Sequence, residues 1–341
     1  MRKMPGTSKA RPLPTTRAAS LQPFLAVLQS KGVATQALLE RARVDAALLG
    51  HDSALLPLDS CLQFLDMAAA EAGTESLGIE VGLATPLEAL GPYGRGLRGC
   101  KTLAEYILQG VKRYNRHTSG LSLQLQRHER HWRVIQPWAP QLTERRGQAL
   151  AHLNTLAITI NSCRAAAGKT WCPPTANISK YCEPAMSYCG LFVSTELRRQ
   201  DAATWCDIPI DLLGLPLWGS YGSSTHEELQ PLTGALSDCV KQQIQAMIDR
   251  SDLSLPAVAK SLGVSPRSIQ RHLGREGLSF FELHDQCRYH TAVNELTGSD
   301  KPVTDIAFDL GYTDPSNFTR AFRRWTGVCP VEFRAAVSIP H

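Results

Sequence analysis

The chain has 341 residues, 43% of them hydrophobic, with 36 Lys/Arg against 31 Asp/Glu and a formal net charge of +5. That length favours two domains, no run of 18 apolar residues is present to span a membrane, and a net charge this small does not by itself announce a nucleic-acid partner. The ten cysteines include no CxxC pair, which argues against a zinc ribbon and against a disulfide framework in a chain long enough to build its own core.

In chain order, the first twenty residues carry Arg2, Lys3, Lys9, Arg11 and Arg17 and no acid, among Pro, Ser and Thr. Residues 1–18 are expected to be a disordered basic tail. The tail has no apolar segment of the secretory type, so a cytoplasmic protein is expected.

Residues 19–218 read as one α+β domain. Helices are expected over 20–28, 34–42 and 58–72, the last with Leu62, Leu65 and Ala69 on one face. A further helix over 103–114 places Leu103, Tyr106, Ile107, Val111 and Tyr114 at helical spacing. Then the period changes. Leu121, Leu123 and Leu125 alternate, and after the charged turn His128-Glu129-Arg130-His131 so do Trp132 and Val134, as in a hairpin. The turn is a weak metal signal and reads better as polar loop. Residues 141–167 return to helix, and strands are expected around Asn177-Ile178, Leu191-Phe192-Val193 and Ile208-Pro209-Ile210. Residues 219–231, rich in Gly, Ser, Thr and Glu, read as a linker to a second domain over 232–341.

That second domain carries one pattern twice. At an offset of 48, Leu255 aligns with Val303, Val258 with Ile306, Ala259 with Ala307, Leu262 with Leu310 and Gly263 with Gly311. At an offset of 49, Ser265-Pro266 aligns with Asp314-Pro315, Ile269 with Phe318, Arg271 with Arg320, Leu273 with Phe322 and Arg275 with Arg324. Each copy reads as a short helix, a Gly turn and a second helix started by a capping Ser or Asp followed by Pro, the helix-turn-helix layout. Ile269 with Leu273, and Phe318, Ala321 and Phe322, mark the buried stripes.

The outward faces then carry the chemistry. Arg267, Ser268, Gln270 and Arg271 in the first copy, and Ser316, Asn317 and Arg320 in the second, are candidate base contacts, because Arg, Gln and Asn can read guanine or adenine edges in the major groove. Arg275, Thr319, Arg323 and Arg324 are candidate phosphate contacts. Residues 231–341 hold 12 Lys/Arg and 12 Asp/Glu, so positive charge is clustered here rather than in excess. Between the copies, Ser279-Phe280-Phe281-Glu282 reads as a capping box opening a linking helix to about Leu296. Some 16 residues span roughly 25 Å, which suits two recognition helices about one DNA turn, roughly 34 Å, apart.

The second domain resembles the AraC/XylS family of bacterial transcription regulators. The resemblance is carried by Ala307-Phe308 with Gly311-Tyr312, by the run from Asn317 to Gly327, by Pro330, by Phe333-Arg334, and by Arg288, Ala292 and Leu296 of the linking helix. Glu295 departs from the Leu usual in the family at that place. The segment Leu87 to Gly94, Thr102-Leu103 and the strand pair after it are similar to the so-called arabinose-binding sensor domain of one branch of that family. The resemblance implies a sequence-specific DNA-binding regulator that is not an enzyme. An α+β sensor domain would be followed by an all-α domain of two helix-turn-helix motifs joined by a linking helix. Its expected partners are double-stranded DNA, a small-molecule effector of unknown identity, a second copy of the chain, and RNA polymerase where it activates. No cofactor and no metal are expected, and no effector-binding residue carries over. Trp132, Trp138, Tyr106 and Tyr114 are candidates to line an apolar pocket, with core packing the alternative.

Two other readings stand beside this one. Cys172, Cys182, Cys189 and Cys206, separated by 10, 7 and 17 residues, could form an oxidation-responsive group. A DNA-targeted enzyme, for instance an alkyl acceptor using a zinc-bound Cys, would need clustered ligands that this spacing does not supply. No GxSxG, HExxH or P-loop motif is present in the context its chemistry needs.

Overall fold

The computed structural model describes residues 13–178, 191–199, 203–217, 232 and 234–337. The chain divides into two units, one built from Met1–Asp52 and Leu56–Leu236, the other from Ser53–Leu55 and Ser237–His341. The expected linker over 219–231 lies outside the described residues.

Unit one opens with a correction. The end of the expected disordered tail is a strand, β1 (Thr15–Arg17), and all three of its residues are buried. The Thr15 amide donates to Ser119 Oγ at 2.9 Å, across 104 residues of sequence, and the Ser119 amide donates to Thr15 O at 2.7 Å. A polar composition reads as solvated unless such distant partners are known. Ala18, also placed in the tail, is fully buried in the short 3-10 turn that follows.

The helices α1 (Gln22–Ser30), α2 (Thr35–Arg41), α3 (Leu58–Glu71), with β2 (Leu55–Pro57) before it, and α6 (Leu103–His117) fall where periodicity puts them. Two helices between α3 and α6 carry no amphipathic signal. α4 (Leu77–Ala84) is apolar nearly all round, and α5 (Gly91–Arg95) is a single turn. α4 lies against the long α7 (Arg145–Ala167) so closely that a Cβ on Gly78 would collide with Leu150 O, and one on Gly82 would lie 2.6 Å from Ala157 Cβ. Glycine is what lets the two backbones approach.

The hairpin β3 (Gln124–Arg127) and β4 (His131–Pro137) joins β5 (Thr175–Asn177), β6 (Glu196–Arg198) and β7 (Ala203–Pro209) in a five-stranded sheet of order β3-β4-β7-β5-β6. All pairs are antiparallel except β5 with β6. Opposed in register, Val134 and Cys206 are buried in the core. The next opposed pair, Arg133 and Asp207, forms a two-fold hydrogen-bonded ion pair (2.6 and 2.8 Å) with the guanidinium 3.7 Å from the Trp205 ring. This is the alternation a pleated strand imposes. The strand expected at Leu191-Phe192-Val193 is instead a turn, with Leu191 buried and Val193 78% exposed. Three apolar residues in a row do not settle a period, and the strand lies at Glu196–Arg198. Ile210 begins a 3-10 turn rather than ending a strand.

From Leu236 on, the described secondary structure is helical: α8 (Leu236–Ala246), α9 (Leu255–Ser261), α10 (Pro266–Arg275), α11 (Phe280–Gly298), α12 (Val303–Asp309), α13 (Pro315–Thr326) and α14 (Pro330–Val337). α9 with α10, and α12 with α13, are the two helix-turn-helix motifs, and α11 joins them. The turn glycines Gly263 and Gly311 take the left-handed backbone at φ +66° and +71°. Ser265 accepts from the Ser268 amide at 3.1 Å and Asp314 from the Ser316 amide at 2.8 Å, so each second helix is capped. At the start of α11, the Glu282 amide donates to Ser279 Oγ (3.1 Å) and the Ser279 amide to Glu282 Oε2 (2.8 Å), closing the capping box. Ile269, Leu273, Phe318 and Phe322 are each fully buried. The sequence reading contained no helix at α8, which braces both motifs. Its buried Gln243 donates to Ser261 Oγ on α9 at 2.9 Å. Ile248, just past its end, packs into the aromatic core of α12 and α13.

Candidate functional site

Among the described residues, two places stand out: the outward faces of α10 and α13, and a cavity in unit one.

On α10, Arg267, Gln270, Arg271 and Arg275 are exposed. Ser268 is half-buried, with its hydroxyl 2.8 Å from Ser265 Oγ, so it serves the helix start as well as the surface. On α13, Ser316, Asn317, Arg320, Arg323 and Arg324 are exposed. Thr319 is half-buried and donates to Pro315 O at 3.1 Å within its own helix. Arg320 Nη2 donates to Asn317 Oδ1, which aligns these two side chains one turn apart. Arg271 and Arg320 thus occupy corresponding exposed positions on two helices of the same construction.

The linking helix fixes the second motif at two points, one on α13 and one on the turn before it. Asp285 accepts from Arg324 Nη2 and, at 3.3 Å, from Trp325 Nε1. One turn on, Arg288 Nε donates to Leu310 O at 3.0 Å, and its guanidinium lies 4.2 Å from the Tyr312 ring. Gly311 completes the junction: a Cβ there would sit 2.8 Å from Ile248 O, so this position needs glycine for space as well as for φ. Arg324, expected at a phosphate, therefore also holds a structural ion pair while its side chain stays 58% exposed.

The cavity in unit one, about 130 Å³, is bounded by side chains of α1, α3, α6 and α7 together with Thr16 and Ser20. That is room for roughly four water molecules at their liquid volume of about 30 Å³ each. Tyr106 and Tyr114 line it, whereas Trp132 and Trp138 pack against the core of the same unit instead. Tyr106 Oη lies 2.9 Å from Ser162 Oγ, and Tyr114 Oη accepts from Gln136 Nε2 at 2.6 Å. Burial pushes both phenols up to about 12, so they stay neutral. A short relay runs from Thr16 Oγ1 to Ser20 Oγ (2.7 Å) and on to His117 Nε2 (2.8 Å). Burial, reinforced by the nearby Arg17 charge, lowers His117 to about 3, so its ring is neutral near pH 7.

The cysteine reading finds little support. Cys182 and Cys189 lie outside the described residues. Cys206 is buried and pushed up to about 12 by that burial, the opposite of an activated thiolate, while Cys172 is half-buried. His128 and His131 stack at 4.5 Å, and among the described residues no group of three His, Cys, Asp or Glu side chains is placed to hold a metal.

Residues 258–336 match the family described as a helix-turn-helix domain, and residues 32–192 match the N-terminal arabinose-binding domain of AraC transcription regulators. The chain is 26% identical over 334 residues to the ornithine utilization regulator of Pseudomonas aeruginosa, covering 92% of this chain and 94% of that one. The chain belongs to the AraC family of transcription regulators.

The HTH-type transcriptional regulator VqsM of the same organism is 34% identical over 113 residues, 33% of this chain and 34% of that protein. Among solved structures, the regulator CdpR from Pseudomonas aeruginosa aligns over 93% of this chain and 98% of its own, with 18% identity and a TM-score of 0.43. As an AraC-family protein the chain binds DNA through its helix-turn-helix domain. No described helix is long and apolar enough to cross a membrane. The residues that sequence reasoning missed are those of the relay, Thr16, Ser20 and His117. The available signal was a histidine in phase with the stripe of α6, three residues beyond Tyr114, where the expected helix stopped.

Proposed function

We propose that this AraC-family protein is an effector-responsive, sequence-specific transcription regulator in which α10 and α13 enter successive major-groove segments on one face of the operator. Arg267, Ser268, Gln270 and Arg271 would meet base edges in one segment, and Ser316, Asn317 and Arg320 in the next, with Arg275, Thr319, Arg323 and Arg324 at phosphates. The observation that carries this reading is the exposure of Arg271 and Arg320 at matching places on two capped helices joined through one linking helix. Arg at such a position can take guanine by two hydrogen bonds.

The cavity in unit one is the effector site in this reading. Pairing of two copies would engage two operator sites and raise their joint occupancy, and RNA polymerase would be the further partner of an activator. A regulator acting on operator DNA would work in the cytoplasm, and this role calls for no enzymatic step. One relative is an ornithine utilization regulator; the cavity here has no acidic lining residue to meet an ammonium group, so ornithine is not proposed as its effector.

The test is selection of bound sequences from a random DNA pool by the full-length protein, followed by footprinting of the selected site. Two protected major-groove segments about one turn apart on one face support the reading. A single protected segment, or no enrichment of any sequence, overturns it.

A further inference from the structure

Resting on the cavity as the effector site, a second conclusion concerns what the site accepts. Its walls are aliphatic side chains such as Leu62, Leu65, Ile107 and Ile158, interrupted by hydroxyl and amide groups, and no lining residue is Asp, Glu, Lys or Arg. An ionised group carried into such a space leaves water and meets no opposite charge on the wall, since Arg17, whose charge reaches His117, does not line the cavity, and this opposes binding. His117 is no substitute, because its ring stays neutral in this setting.

The polar groups narrow the choice further. Of the three phenols on the wall, those of Tyr106 and Tyr114 already have partners in Ser162 and Gln136, and that of Tyr93 is a further neutral hydroxyl. His117 differs. Its Nε2 is taken by Ser20, while Nδ1, also buried, meets no hydrogen-bond partner among the described residues. Buried polar atoms are seldom left so. A neutral imidazole carries one N–H and one lone pair. If Ser20 donates to Nε2, then Nδ1 carries the hydrogen and seeks a carbonyl, ether or hydroxyl oxygen. If Nε2 donates to Ser20, Nδ1 is an acceptor and seeks a hydroxyl. Both tautomers call for one neutral polar group against an otherwise apolar body.

We propose that this regulator responds to an uncharged, mainly apolar small molecule whose hydroxyl or carbonyl group hydrogen-bonds to His117 Nδ1, an atom with less than 1 Å² accessible in this packing, once a turn of the ring opens it to the cavity of unit one.

The experiment uses the full-length protein and four probes of one shape: 1-naphthol, naphthalene, 1-naphthoate and 1-naphthylmethylammonium. Binding is followed by probe fluorescence and by the shift in melting temperature. Val111→Trp and Ile158→Trp each fill the space from a different helix, so if one variant does not fold, the other answers. His117→Phe keeps the ring and removes its nitrogens. The expected result is that 1-naphthol binds and raises the melting temperature, both ions bind roughly tenfold or more weakly, and the filling variants abolish binding. In His117→Phe, 1-naphthol should lose about three- to tenfold in affinity while naphthalene loses none.

If either ion binds as tightly as 1-naphthol and the filling variants abolish it, the ligand class is overturned and the effector site stands. If 1-naphthol affinity survives in His117→Phe, the anchoring role of His117 is overturned. If no probe binds, or the binding seen is unchanged in a folded filling variant, both this proposal and the reading of the cavity as the effector site fall.

Discussion

Asp285 on the linking helix and Arg324 on the second recognition helix form an ion pair, and Trp325 donates its indole N–H to the same carboxylate oxygen. In the proposed reading, the pair would link the spacing of the two motifs to the charge that α13 offers DNA. Its partners are 21% and 58% exposed, so its direct contribution to stability should be no more than about 1 kcal/mol. The two single variants separate the roles. Arg324→Ala should weaken binding to all sequences alike and lower the salt dependence of log K by about one phosphate contact. Asp285→Ala leaves the arginine in place, so affinity should fall with the salt slope unchanged. Equal slopes in both variants and the parent would reduce Arg324 to a purely structural residue.

Arg271→Ala and Arg320→Ala should each cut affinity for the selected operator by about 1–3 kcal/mol and relax preference at different base pairs. Arg320 is the more pre-arranged of the two, because Asn317 accepts from its guanidinium in the free protein. Asn317→Ala should therefore weaken discrimination at the base pair read by Arg320 as well as at its own. Competition binding against single-base variants of the operator measures both effects. Relaxation of the same base pair by Arg271→Ala and Arg320→Ala would rule out two separate groove segments.

Gly311 and Gly277 share a left-handed backbone, at φ +71° and +72°, but differ in their surroundings. Nothing lies within 4 Å of a Cβ added at Gly277, whereas one at Gly311 would press on Ile248 O at 2.8 Å. Gly277→Ala should cost the backbone term alone, about 1–2 kcal/mol. Gly311→Ala should cost about 1–3 kcal/mol more, since the obstacle is backbone and a tight site must shift to accept it. Urea unfolding of the two variants, followed by helix content, gives the comparison. Equal midpoints would mean that the segment after α8 yields easily at this junction.

Unit two was legible in the sequence because its determinants are local. A turn glycine, a capping Ser or Asp and a stripe such as Phe318 with Phe322 lie within one or two helical turns of each other, and each appears twice. Unit one was legible only in part. α4 shows no stripe because Leu77, Ile79 and Val81 are all buried against neighbours that the sequence does not place beside them. α8 is hidden by its Gln-rich composition next to the linker, although Val240 and Ile244 sit four apart. The cavity was invisible for the same reason as β1. Ser20 meets His117 across 97 residues, and Tyr106 meets Ser162 across 56. No period encodes a contact of that range. The Asp285–Arg324 pair, 39 residues apart, likewise arises only once α11 and α13 have packed.

The buried histidines of unit one make its stability depend on pH in a window of its own. His117 and His152 are both lowered to about 3 by burial. His152 Nδ1 lies 3.3 Å from Thr204 Oγ1, and Trp138 packs edge-on against its ring. In the unfolded chain both rings protonate near 6.5, so below that pH the unfolded state binds more protons than the native one and stability falls with pH. Above about 6.5 neither state is protonated and the term vanishes. Between these limits each histidine contributes a slope of up to about 1.4 kcal/mol per pH unit, which continues until the native ring itself protonates near 3. Most carboxylates titrate below about 4.5, so between pH 5 and 6 the two histidines should dominate. The expected outcome is a proton uptake on unfolding of unit one that approaches two in this range, read from urea midpoints and m-values across pH, with His284 of unit two, lowered to about 4 mainly by burial, adding up to one more when the whole chain unfolds. His117→Phe or His152→Leu should each reduce it to about one, whatever the variant does to stability at pH 7. An uptake that remains near two in both variants would assign the acid sensitivity to other groups and remove the basis for treating His117 as a neutral ring in the cavity.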